Sequence, residues 1–140
     1  MAKRTKISVA NKSIINERAK GCCEYCKSPF DFSTELFSIE HILPISLGGD
    51  DELSNLAFAC IGCNIFKSNK LEGKDPISQA MTILFNPRIM FWEEHFFWDS
   101  TYLTIIGQTA IGRTTINELK LNRQALKNLR RALVAIGVHP

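Results

Sequence analysis

The chain has 140 residues, 45% of them hydrophobic and 22% charged, and a formal net charge of +3. That balance excludes a disordered chain, and no apolar run approaches the roughly 20 residues of a membrane-spanning helix. No apolar signal core follows the basic N-terminus, so the expected compartment is cytoplasmic, where thiols stay reduced and five cysteines argue for metal ligation over disulfides.

A chain of this length is expected to form a single domain over 1–140, small enough to benefit from a structural metal. Met1 to Val9 is basic and patternless. Ser13 to Lys20 reads as a short helix with Ser13 as its N-cap, Ile14, Ile15 and Ala19 inward, and Gly21 as its stop. Leu36 to Leu43 reads as a strand. If it is regular, Glu40 and His41 leave opposite faces, and a bulge or a twist is needed for both to serve one metal site. Gly48-Gly49-Asp50 is a turn, Leu56 to Ala59 a second strand, and Asn64 to Lys70 the start of a helix.

Beyond the break at Phe85-Asn86-Pro87-Arg88, the aromatic run Phe91 to Trp98 reads as core. Phe96 to Trp98 and Tyr102 to Ile106 form an expected hairpin around Asp99-Ser100-Thr101. Thr109 to Leu119 and Asn122 to Ile136 read as helices, with Leu126, Leu129, Leu133 and Ile136 at helical spacing. Lys120, Arg123, Lys127 and Arg130 recur on an adjacent face, a stripe that could meet a DNA backbone but is expected to be a solvated face.

Charge is unevenly spread. Lys3, Arg4, Lys6, Lys12, Arg18, Lys20 and Lys27 crowd the first 27 residues, whereas Asp31 to Glu52 holds six acids and no Lys or Arg. An acidic patch beside basic segments suits a metal centre flanked by phosphate-binding surface.

Four of the cysteines form two Cys-x-x-Cys pairs, Cys23/Cys26 and Cys60/Cys63, the spacing of a four-thiolate zinc site. Four thiolates complete a tetrahedron and leave no open position, so this zinc is expected to be structural. Its contribution to folding is on the order of 10 kcal/mol. Cys22 is left over as a small buried side chain or bystander. Between the pairs stand Glu40-His41 and Asn55, and Asn64 follows Cys63 directly. Phosphodiester hydrolysis needs a base that works near neutral pH and a cation for the developing phosphoryl charge. An imidazole suits the first task; the hard oxygens of a carboxylate and an amide suit magnesium or manganese for the second.

Taken together, these residues resemble the HNH (His-Asn-His) nuclease family, the ββα-metal nucleases, in the subgroup braced by a zinc knuckle. The resemblance implies an α+β fold: a zinc-braced ββα-metal core over about 13–72, with a C-terminal hairpin and helices over about 85–140, matched more weakly. It implies a metal-dependent endonuclease with DNA as partner, leaving a 3′-hydroxyl and a 5′-phosphate. His41 becomes the general base and Asn55 its orienting residue. Glu40 and Asn64 become the ligands of one Mg2+ or Mn2+, and Lys67 and Lys70 candidate phosphate contacts. Glu40 stands where Asp is common, and Asn64 stands where many members carry the last His. The alternative is a non-catalytic, zinc-stabilised nucleic-acid-binding module. A thiol oxidoreductase is disfavoured, because paired Cys-x-x-Cys units with a Glu-His element fit zinc better.

Overall fold

The computed structural model describes residues 7–140; Lys3, Arg4 and Lys6 of the basic N-terminus lie outside the described residues. The chain divides into two compact units. One comprises the described residues up to Leu71 together with Asn86–Ile89, the other Glu72–Phe85 and Met90–Pro140.

In the first unit, helix α1 (Val9–Arg18) begins earlier than the Ser13 cap predicts. The Ser8 hydroxyl accepts the Asn11 N–H at 3.1 Å and so satisfies one of the orphan donors of the first turn. Gly21, at φ +69, follows in the left-handed conformation expected after a helix end. Strand β1 (Ser38–His41) pairs antiparallel with β2 (Leu56–Ala59), placing Ile39 opposite Phe58, Glu40 opposite Ala57 and His41 opposite Leu56. All four residues of β2 are buried. Helix α1 packs against β2, and Ile15, Leu56 and Phe58 form the core there, with Phe30, Phe37 and Ile39 against them. Helix α2 (Ile61–Lys67) packs against β1. It starts three residues before the expected Asn64, because the Cys60 Sγ accepts the Cys63 N–H at 3.4 Å and acts as its cap.

The second unit holds a hairpin that the sequence reading missed, β3 (Glu72–Lys74) paired with β4 (Met81–Ile83). Both strands are three residues long, too short for a readable alternation. The run from Phe91 forms a single helical turn, α3 (Trp92–His95), and then β5 (Phe96–Trp98), paired with β6 (Ile105–Gly107). β6 starts three residues later than expected. The Asp99 carboxylate accepts the backbone N–H groups of Thr101 and Thr104 and holds a wider loop, with Tyr102 at φ 60. Trp92, Phe96 and Phe85 are buried, with Phe96 in ring contact with each of the other two, as the core reading of the aromatic run anticipates, whereas Phe91 and Phe97 of the same run are exposed.

Helix α4 (Ala110–Leu119) packs on β6, β3 and β4, and α5 (Gln124–Ala135) follows it. The basic stripe does not form one solvated face. Arg130 is buried, with its guanidinium 4.9 Å from the Trp98 ring centroid and donating to the Leu103 and Leu121 carbonyls. The guanidinium is weakly hydrated and stacks on aromatic rings, and here it ties up one carbonyl just past the end of α4 and one in the loop before β6. The described residues form an α+β arrangement with three two-stranded antiparallel sheets. No helix among the described residues is long and apolar enough to cross a membrane.

Candidate metal centre and nuclease site

Cys23 and Cys26 sit in the turn before β1, and Cys60 and Cys63 cap and begin α2. The hairpin between them folds the two pairs together, so that all four Sγ atoms lie within 4.8 Å of one another, all buried. Cys26 Sγ and Cys60 Sγ are 3.7 Å apart. A tetrahedral zinc with bonds of about 2.3 Å requires sulfur separations of roughly 3.8 Å, so the cradle fits the ion. The chemistry fits too. The neighbouring thiols of Cys23, Cys26 and Cys63 hold the Cys60 thiolate far below its ordinary range, while burial pushes the Cys23 thiol well above it. Four buried sulfurs this close ionise together only around a cation.

Glu24, inside the first knuckle, bolts it to β2. Its backbone N–H donates to Phe58 O at 2.9 Å, its carboxylate accepts the Phe58 N–H at 2.9 Å, and its other oxygen pairs with Arg88.

The β1/β2 pairing is regular through Glu40 and His41, with no bulge, so the two side chains leave opposite faces of the ribbon. Glu40 faces inward. Its Oε2 accepts the Tyr25 hydroxyl at 2.5 Å, and Lys67 Nζ lies 2.5 Å from Oε1 while also donating to Ile42 O at 3.2 Å. Oε1 accepts no aligned hydrogen bond, so its contact with Lys67 is an ion pair alone. Burial pushes the Glu40 carboxyl up from its ordinary value, opposed by the Lys67 ammonium and the Tyr25 hydroxyl. Burial, then the Glu40 charge, pushes the Tyr25 phenol well up, so Tyr25 stays the hydrogen-bond donor.

Lys67 therefore does not occupy the phosphate-contacting surface expected of it. It is 2% exposed, because α2 turns it over β1 where the buried carboxylate requires a cation. Lys70, just beyond α2, is exposed, and Asn64 is half-buried one helical turn before Lys67.

His41 is half-buried, and its Nε2 lies 2.7 Å from Asp51 Oδ1. Asp51 is brought there by the loop after β1. Asn55 clamps that loop, accepting the Leu43 N–H at 2.8 Å and donating to Leu43 O at 3.0 Å and to Asp50 O at 2.8 Å. A Cβ on Gly49 would stand 1.7 Å from Leu43 O, so only glycine allows this approach. The contacts of Asn55 run to the loop backbone and not to the imidazole.

Residues 23–70 match the HNH endonuclease family. The HNH match runs from the first knuckle cysteine to Lys70 and takes in Glu40, His41, Asn55 and Asn64; its agreement with the four-cysteine cluster supports the zinc-knuckle subgroup. No curated protein and no solved structure matches the chain.

For the catalytic ion that the HNH family implies, the donors are of the right kind: a carboxylate and an amide, both hard oxygens. Their present arrangement is not open, however, because Glu40 already carries the Lys67 ammonium on Oε1 and the Tyr25 hydroxyl on Oε2. A divalent ion at Glu40 would have to compete with Lys67. Sequence reasoning missed Tyr25 and Asp51. Tyr25 lies inside a Cys-x-x-Cys pair, where the cysteines draw all the notice, and Asp51 neighbours the equally acidic Asp50.

Proposed function

We propose that the segment from Cys23 to Lys70 is the working part of a DNA endonuclease in which His41 activates the attacking water. The observation that carries this reading is the 2.7 Å contact between His41 Nε2 and Asp51. A carboxylate can only accept, so Nε2 carries the proton and Nδ1 is the basic nitrogen. Asp51 fixes the ring against rotation and stabilises the imidazolium formed when Nδ1 takes the proton from water. Asn55 holds the loop that carries Asp51, and the four-cysteine brace sets α2, and with it Asn64, relative to β1. Glu40 and Asn64 would hold one Mg2+ or Mn2+, which when bound would neutralise charge on the phosphoryl group; because Glu40 and His41 leave opposite faces of β1, this arrangement requires the twist of the strand end at His41 to bring both side chains to one edge. Lys70, exposed just beyond α2, would contact a backbone phosphate, and hydrolysis would leave a 3′-hydroxyl and a 5′-phosphate. The reduced thiols this requires suit a cytoplasmic setting.

The second reading, a zinc-stabilised nucleic-acid-binding module without catalysis, is favoured by one observation: Glu40 is already neutralised by Lys67. Plasmid cleavage with magnesium and with manganese, comparing wild type with His41→Ala, decides between them. Cleavage lost in His41→Ala with DNA binding retained supports the nuclease. Equal behaviour of the two proteins under every metal supports the binding module.

A further inference from the structure

A cleft of about 510 Å³ opens beside His41 in the first unit, and neither the zinc brace nor the catalytic assignments use it. Its walls are Phe30, Phe37, Phe58 and Ile39, and α1 contributes Lys12 and Asn16. The strand period explains its position. Phe37, Ile39 and His41 alternate onto one face of the chain through β1, and Phe58 stands opposite Ile39 across the ribbon. The cleft is thus continuous with the imidazole. Its size lies within the range of about 300–1,000 Å³ usual for ligand sites and leaves ample room for a single base. Lys12 and Asn16 are exposed at its rim.

We infer that this cleft seats one unstacked nucleobase of the DNA strand being cut, next to the phosphate presented to His41. The inference rests on the nuclease reading and names its substrate class: single-stranded or locally unpaired DNA. Aromatic walls attract the π-face of any base without selecting sequence. An exposed ammonium at the rim complements the phosphate that accompanies the base, and an amide there offers both a donor and an acceptor to a base edge. A fully paired duplex keeps its bases in the stack and must release one at a cost of a few kcal/mol. Unpaired strands are therefore bound and cut in preference.

The test uses the full chain and short single-stranded oligothymidylates, either intact or carrying one abasic site stepped along the strand. Affinity is measured by fluorescence anisotropy without added magnesium or manganese, and cleavage is measured separately with them. Removing the base at the seated position should weaken binding about 5- to 160-fold, the range of one base–aromatic stack. Phe37→Leu, which removes the ring but keeps apolar volume, should erase that difference. Asn16→Trp, which fills the cleft from an exposed helix position, should erase it without touching the core. Both variants should keep the salt dependence set by phosphate contacts. Equal affinity for intact and abasic strands at every position, or discrimination surviving in Asn16→Trp, overturns the inference. If DNA is still bound and cut in that case, the nuclease reading stands without the base seat. If no DNA is bound at all, both fall.

Discussion

Lys67 Nζ lies 2.5 Å from Glu40 Oε1, with both side chains almost completely removed from water. A buried ion pair of this kind contributes little over an apolar pair, but losing one partner strands the other charge. Lys67→Ala should therefore destabilise the fold by roughly 3–5 kcal/mol. Glu40→Gln combined with Lys67→Met should recover most of that, and Lys70→Ala should change stability by less than about 0.5 kcal/mol. Urea unfolding monitored by circular dichroism measures all three, and a stable Lys67→Ala protein would refute the pairing.

The same pair bears on the divalent ion. If the ammonium competes for Glu40, Lys67→Gln should tighten manganese binding, whereas Glu40→Ala should weaken it and be partly rescued at high metal. Isothermal titration calorimetry on zinc-loaded protein reads both. Looser manganese binding in Lys67→Gln would show instead that Lys67 supports the ion.

The sulfur cradle predicts about one zinc per chain. Cys60→Ser should lose the ion and, with it, the cooperative unfolding of the first unit, since metal and fold are coupled, even though a serine hydroxyl can still cap α2. Cys22→Ser should leave zinc content unchanged, because Cys22 stands outside the four-sulfur group. Elemental analysis of reduced protein checks both.

Asp51 and His41 should separate kinetically. His41→Ala should lower the cleavage rate roughly 10²- to 10⁴-fold at unchanged DNA affinity. Asp51→Asn should cost less than that, since it loosens the base without removing it, and the loss should fall on kcat and not KM. Asp51→Asn matching wild type in single-turnover cleavage would show that the contact is incidental.

In the second unit, Arg113 grips Asp75 through two hydrogen bonds of 3.0 and 2.8 Å and holds its carboxyl below the ordinary value of 3.8. A folded value below the unfolded one means that this stabilisation is present above about pH 4 and is lost as pH falls further. Thermal unfolding of wild type should therefore steepen its decline below pH 4, and Arg113→Met should flatten that limb. Parallel acid limbs would show that Asp75 does not control it.

What the sequence determined by itself was what depends on residues close together along the chain. The two Cys-x-x-Cys pairs, the Glu40-His41 step, the glycine turn and β2 at Leu56 to Ala59 are local patterns, set by strand and turn geometry over a few residues. The helix starts were less legible, because the caps at Ser8 and Cys60 compete with equally plausible residues nearby. Tertiary structure alone decided which way the cations face. Lys67 and Arg130 read as surface charges, yet the first is drawn in by a buried carboxylate and the second by Trp98 and leftover carbonyls. It also decided that Asp51, and not its neighbour Asp50, reaches His41, because Asn55 ties down the Asp50 carbonyl and so fixes which acidic side chain the loop delivers. The side-chain pairings behind these choices join residues ten to thirty-two positions apart, from His41 and Asp51 to Trp98 and Arg130, and no local periodicity encodes them.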